Sequence, residues 1–323
     1  MRSILNWFLF TVILSTTLLA TDAVASPADL LAAGRVDEVI ASLQSQVKAS
    51  PENAGAYNYL CRAYYSLGDW DRAIANCEKS VKLASDNSDY HLWLGRAYGE
   101  KADHVNPFSA ASLAGKLRRE FERAVELSPN SVEARSDLAE FYIDAPGIVG
   151  GGLDKARLQA RALAGLAPAK AHYLNGRIAE KEKDAAVAEK EYRAAIDASQ
   201  GHANDWLNLA LFYRHGNKLD DMEQALMRAA NAPKGQNEVL VEASEILQRS
   251  GRNLPEATQL ARRYIASNSL SEKSPLFKAH YVLGTALEKQ GDKEGAAQEY
   301  RAALALAGNF SAAQQALKNV SKQ

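Results

Sequence analysis

The chain has few of the residues that build disulfide-stapled or metal-centred proteins. Its two cysteines in 323 residues are too few for a disulfide-dense scaffold or a four-cysteine zinc site. Charge of one sign is lacking as well: 38 Lys and Arg stand against 39 Asp and Glu, a net charge of −1. That balance gives no reason to expect a nucleic acid or an anionic membrane as partner, since either calls for excess positive charge. Prolines number nine, and after residue 20 no apolar run approaches the roughly 20 residues that a membrane-spanning helix needs. What is present is 47% hydrophobic and 24% charged residues, an ordinary globular composition that excludes a disordered or collagen-like chain. Abundant alanine with little proline points to helices rather than to a β-sandwich.

The first segment reads as an export signal. Met1-Arg2-Ser3 is basic, Ile4 to Ala20 is mostly apolar but broken by Asn6 and a Thr/Ser cluster, and Ala23-Val24-Ala25 has the small-x-small pattern of a cleavage site. The expectation is a signal peptide over residues 1–25, cut before Ser26, and a mature chain of residues 26–323. No cysteine stands at the cleavage point, so a lipid anchor there is not expected. The mature protein is expected to be soluble, without an integral membrane segment, and periplasmic or secreted.

One unit recurs along the rest of the chain. Residues 54–87 show it clearly: Tyr57, Leu60, Cys61 and Tyr64, the turn Gly68-Asp69, then Ala73, Cys77 and Ser80. Spacings of three and four put each set on one helix face, and the Gly-Asp step stops the first helix, giving a helix–turn–helix hairpin. His280, Leu283, Gly284 and Leu287, the turn Gly291-Asp292, and Ala296, Tyr300 and Ala303 repeat the plan near the end. Trp206, Leu209, Ala210 and Tyr213 with Met222, Leu226 and Ala229 form a further copy, and Leu94, Gly95 and Tyr98 with Phe121 and Ala124 another.

This pattern resembles the tetratricopeptide repeat, a 34-residue helical hairpin. Seven such units run over residues 54–307, after a half-repeat at 27–50 with its turn at Gly34 and before a capping helix at 311–320. The resemblance implies an all-α fold, a right-handed superhelical solenoid of about seven hairpins in a single domain, whose first helices line a concave groove. Small residues such as Gly95, Gly176, Ala210 and Gly284 belong where two helices cross most closely, because a larger side chain would force the axes apart. No hairpin covers its own apolar face, so neighbours stack and share one core.

Two consecutive units carry extra residues in the turn inside the hairpin. About ten are added between Tyr98 and Leu117, where Asn106-Pro107 reads as an N-cap followed by proline at the first helical position, predicting a helix over 107–127. The next unit adds about five as Ala145-Pro146-Gly147-Ile148-Val149-Gly150-Gly151-Gly152. Adjacent turns lie side by side, so the segments 102–111 and 145–152 should form one edge, with Val105, Phe108, Ile148 and Val149 packed together. The edge residues singled out are Phe108, Pro146, Ile148, Gly150, Gly151 and Gly152. The glycine run precedes a helix, where backbone N–H groups attract anions. It lacks the following Lys-Ser/Thr and the preceding strand of a phosphate loop, which leaves an anion nest or a tight structural loop.

Cys61 and Cys77 each lie eight residues from Asp69, level with each other on antiparallel helices and within disulfide reach. A disulfide is the expectation in an oxidising compartment; two free thiols filling small core positions is the alternative. His91, His172 and His280 occupy the aromatic position of three different units, about 10 Å or more apart, too far to share a metal. No metal site, no cofactor and no catalytic constellation is expected.

On the groove side, i, i+4 arithmetic presents Asn58, Arg62 and Tyr65, then Leu92, Arg96 and Glu100, then Ser136, Glu140 and Asp144, then Lys170, Tyr173, Arg177 and Lys181. Asn58, Arg62, Tyr65, Arg96, Tyr173 and Arg177 are the candidate binding residues, because Arg with Tyr and amide groups suits a peptide or a terminal carboxylate. The competing reading pairs Arg96, Glu140 and Arg177 across repeats as surface ion pairs. Arg62 has no obvious acidic neighbour and is the strongest single candidate. The Lys/Asn pattern of the family's peptide clamps is not reproduced. The functional expectation is a non-enzymatic protein–protein interaction scaffold outside the cytoplasm, binding partner segments in the groove or on the insertion edge. The alternatives are a small-ligand binder or enzyme using that edge, and a structural subunit of an envelope assembly.

Overall fold

The computed structural model describes residues 25–235 and 237–322. The predicted signal peptide, except for Ala25, lies outside the described residues. Among those described are seventeen α-helices and one short 3₁₀ turn. Helices α1 (Pro27–Ala32) and α2 (Val36–Ala49) come first, followed by the hairpin of α3 (Ala54–Ser66) and α4 (Trp70–Leu83). The two extended hairpins are α5 (Ser88–Ala102) with α6 (Pro107–Leu127), and α7 (Val132–Asp144) with α8 (Leu153–Leu163). Next are α9 (Pro168–Lys181) with α10 (Ala185–Ala198) and α11 (Ala203–His215) with α12 (Leu219–Ala230). The series closes with α13 (Glu238–Arg249) and α14 (Leu254–Ile265), α15 (Leu276–Lys289) and α16 (Lys293–Leu306), and α17 (Ser311–Val320).

The Gly-Asp steps make the hairpin turns by a division of labour. Gly68, at φ +76°, takes the left-handed conformation that ends α3. Asp69 then accepts a hydrogen bond from the Arg72 amide at 3.1 Å and caps α4. Asn106 caps α6 in the same way through the Ser109 amide at 3.1 Å, with Pro107 in the first turn. That start gives α6 its 21 residues and carries it beyond its neighbours.

Packing between units repeats as faithfully as the turns. A tyrosine near the end of a first helix meets a polar side chain on the second helix of the unit before. Tyr64 accepts from Gln44 at 3.0 Å, while Tyr98 donates to Glu78 at 2.6 Å, Tyr142 to Glu122 at 2.9 Å and Tyr213 to Glu189 at 2.7 Å. The buried phenols thereby keep hydrogen-bond partners while their rings fill the core. Within hairpins, His91, His172 and His280 bond Glu120, Glu191 and Glu299 at 2.6, 2.7 and 2.6 Å. A Cβ on Gly95 would lie 2.4 Å from the Phe121 ring, and one on Gly284 would lie 2.5 Å from Tyr300. Hydrogen is the only side chain that fits these crossings.

The row of hairpins curls until its last unit sits against its first. The Gly308 amide donates to Asp37 at 2.7 Å across 271 residues. Gly34, in the turn between α1 and α2, packs on the backbone of Leu276 and Phe277 at the start of α15. The groove is therefore closed round by both ends of the chain, which no local sequence pattern announces.

Candidate functional site

The inner face of α5 lies at the centre of the groove. Trp93 stacks against two guanidinium groups, with Arg62 5.1 Å and Arg96 5.0 Å from its ring centroid, and meets the Tyr65 ring edge-on at 5.5 Å. Sequence reasoning passed over Trp93 because i, i+4 arithmetic along α5 selected its neighbours.

Arg62 is not free, which corrects the expectation that it lacks an acidic partner. Its Nε donates to Glu272 at 2.7 Å, and a second guanidinium nitrogen bonds the other carboxylate oxygen of the same residue. Glu272 comes from the far end of the chain, 210 residues away. The loop between α14 and α15 delivers it because buried Tyr264 pinches that loop: its hydroxyl accepts from the Ser271 amide at 2.8 Å and donates to the Ser274 carbonyl at 2.5 Å. Asn58 and Tyr173, two further candidates, are buried rather than presented to the groove, with Tyr173 only 8% exposed.

Arg96 and Arg177 do pair across repeats, though with partners other than those foreseen. Arg96 bonds Asp137 and Glu133 of the following unit, both at 2.7 Å, and Arg177 bonds Asp144 of the preceding unit at 2.9 Å. Burial disfavours the charge on Arg96, but the Asp137 and Glu133 carboxylates outweigh it and raise its pKa further. Glu140 is different. It accepts a hydrogen bond from the Tyr173 hydroxyl at 3.1 Å. Burial raises its pKa above the usual carboxylate range, a shift that Arg177 and Lys170 offset only in part.

The two insertions come together as their adjacency predicts, but the expected apolar cluster does not form. Phe108 is 92% and Ile148 95% exposed, while Val105 faces a different recess beside Trp70 and Asn309. Residues 107–117 of α6 and 145–149 instead wall a cavity of about 640 Å³. Its floor is made by α5 and α7, with Glu100, Asp103, Asp137, Glu140 and Asp144 among the lining residues. A second cavity of about 570 Å³, lined by Arg62, Trp93, Glu272 and Lys278, shares Tyr65 and Arg96 with the first. The two adjoin at these side chains.

The glycine run is a tight structural loop. The amides of Gly150, Gly151 and Gly152 donate to the carbonyls of Gly147, Pro146 and Tyr142 at 2.9, 3.2 and 2.8 Å. With those donors consumed inside the loop, the three glycines offer no amide to an anion. A Cβ on Gly151 would lie 1.8 Å from the Ala145 carbonyl oxygen, which explains the glycine at that position. Pro146 opens the segment and lines the larger cavity.

Cys61 on α3 and Cys77 on α4 form a disulfide with Cα atoms 5.2 Å apart. It ties the hairpin that carries Arg62 and Tyr65. Among the described residues no group of three or more His, Cys, Asp and Glu side chains is arranged to hold a metal ion. No helix among them is long and apolar enough to cross a membrane.

Comparison with known proteins agrees with this geometry. Two sequence families described as tetratricopeptide repeat match residues 30–97 and 277–310. No curated protein matches the sequence. Among solved structures, yeast Tom70 is 13% identical with a TM-score of 0.50, over 92% of this chain and 80% of its own. A thermophilic tetratricopeptide-repeat protein of Thermus thermophilus is 19% identical with a TM-score of 0.45, over 60% of this chain and 99% of its own. Such low identities speak for the fold alone. Residues 30–97 and 277–310 thus match tetratricopeptide repeats, and the described residues form a nearly all-helical repeat solenoid.

Proposed function

We propose that the protein is an exported interaction scaffold, without catalysis of its own, that holds a segment of a partner protein in its groove and on the insertion edge. The observation that carries this reading is the adjacency of the two cavities, which meet at Tyr65 and Arg96. Placed side by side, they offer a bound segment surface from the inner face of α3 to the space between the insertions. Tetratricopeptide repeats as a class support a scaffold role. The Cys61–Cys77 bond is what an oxidising compartment allows and supports export, together with the signal-like residues 1–25.

The test is affinity capture from a cell-envelope extract with the mature chain, beside a variant in which residues 146–152 are replaced by a short turn. Stoichiometric capture of a defined protein that the variant loses is the expected result. Capture unchanged by the replacement would remove the insertion edge from the function. N-terminal sequencing of the exported protein is expected to begin at Ser26; a chain retaining Met1 in the cytoplasm would contradict export.

A further inference from the structure

The larger cavity has a chemistry more specific than a general peptide groove. Its walls are apolar: Ala111, Leu117, Phe121, Phe141 and Val149 line it. Its floor is acidic, and the acids divide into two kinds. Asp137 and Asp144 are neutralised by Arg96 and Arg177. Glu100 and Glu140 receive only tyrosine hydroxyls, from Tyr65 and Tyr173, both at 3.1 Å. Asp103 makes no ion pair among the described residues. At a distance Glu140 feels the charges of Arg177 and Lys170, and Glu100 that of Lys278, which faces the adjoining cavity and whose own charge burial disfavours. Among the described residues the cavity thus presents three carboxylates without an ion-pair partner: Glu100 and Glu140, half-buried beside apolar walls where an unpaired charge is costly, and the exposed Asp103.

Ile148, one of the two most exposed large apolar side chains among the described residues, lines the cavity, and the other, Phe108, follows the lining residue Pro107. They lie on the two insertions that wall the cavity, and the apolar surface of Ile148 is continuous with its walls. Its volume of about 640 Å³ lies within the range of sites that bury a compact ligand.

We infer that this cavity receives a segment of the partner in which a Lys or Arg side chain stands beside bulky apolar side chains. The cation would meet Glu140, Glu100 and Asp103, and the apolar neighbours would fill the space beside Ile148 and Val149. The inference rests on the scaffold reading and narrows it to one class of segment. An acidic segment is excluded by the same charges, and an anionic membrane surface is repelled by them.

The test is selection of random dodecapeptides displayed on phage against the disulfide-bonded mature chain, followed by fluorescence anisotropy on the enriched peptides. Enrichment of Lys or Arg next to Leu, Ile or Phe is expected. Glu140→Gln, which keeps an acceptor for Tyr173, and Ile148→Ser, at an exposed position, should each weaken those peptides roughly tenfold with unchanged circular dichroism. Enrichment of acidic peptides, no enrichment over an unrelated protein, or basic-apolar peptides indifferent to both substitutions would each overturn the inference. So would binding of the chain to phosphatidylglycerol vesicles that Ile148→Ser abolishes. If envelope capture succeeds and is indifferent to Glu140→Gln and Ile148→Ser, the scaffold reading stands and the inference alone falls.

Discussion

Glu272 clamps Arg62 from the opposite end of the chain, and removing that clamp is the perturbation with the clearest expected size. The two side chains are 19% and 18% exposed, between a surface ion pair, worth at most about 1 kcal/mol, and a fully buried one, whose disruption costs about 3–5 kcal/mol. A bidentate pair of this burial should contribute a coupling energy of about 1–3 kcal/mol. Arg62 also stacks over Tyr59 at 4.5 Å and Trp93 at 5.1 Å, each worth about 0.5–1 kcal/mol. Arg62→Ala loses these contacts and Glu272→Gln keeps them, so Arg62→Ala should be the more destabilising. Urea denaturation of both single variants and the double variant gives the coupling by a double-mutant cycle. Small-angle scattering on the same samples should show a larger radius of gyration, because the clamp helps hold the two ends of the solenoid together. A coupling below about 0.3 kcal/mol, with an unchanged radius, would refute the closure argument.

Three further outcomes follow from single contacts. Reducing the Cys61–Cys77 bond, whose sequence separation is 16, should cost about 3 kcal/mol on the loop-entropy scale; denaturation midpoints equal with and without dithiothreitol would contradict it. Gly95→Ala places a methyl 2.4 Å from Phe121 and should cost about 1–3 kcal/mol, whereas Gly147→Ala, with nothing within 4 Å, should be near neutral in the same melt. His91 faces acceptors at both ring nitrogens, Glu120 at 2.6 Å and the Ser85 carbonyl at 3.0 Å, so the imidazolium is favoured. The Glu120 bond raises its pKa against burial and the repulsion of Arg123. A raised histidine stabilises the fold fully below its unfolded pKa of about 6.5 and loses that contribution as pH rises through the folded value. The stability difference between the natural chain and His91→Gln should therefore shrink from pH 5.5 to pH 8.5; a difference constant with pH would contradict the assignment.

What the sequence made legible is what the chain decides locally. The Gly68-Asp69 turn, the Asn106-Pro107 helix start and the small residue facing Phe121 each follow from a few neighbouring residues, and the structure has all three. The placement of Cys61 opposite Cys77 also follows from counting along one hairpin. The site was harder to read because its geometry comes from curvature accumulated over the whole series of units. Glu272 reaches Arg62 only after the solenoid closes, and spacing along the chain carries no sign of that. Asn58 and Tyr173 satisfy the groove-face arithmetic yet are buried, because stacking of adjacent hairpins covers part of the face that a lone helix would present. Phe108 and Ile148 were expected to pack together as apolar neighbours. Instead both are exposed, and Ile148 lines the cavity walled by the two segments. The acidic floor of that cavity required Glu100, Asp103 and Glu140 from two helices to be seen together.

The central claim is that a partner segment lies in the groove and under the insertion edge. Hydrogen exchange of the mature chain, with and without the captured partner, tests it most directly. The account predicts slowed exchange over residues 99–117 and 137–149, with smaller changes near 271–278. Protection confined to the outer helices α4, α10 and α12, with those segments unchanged, would contradict it.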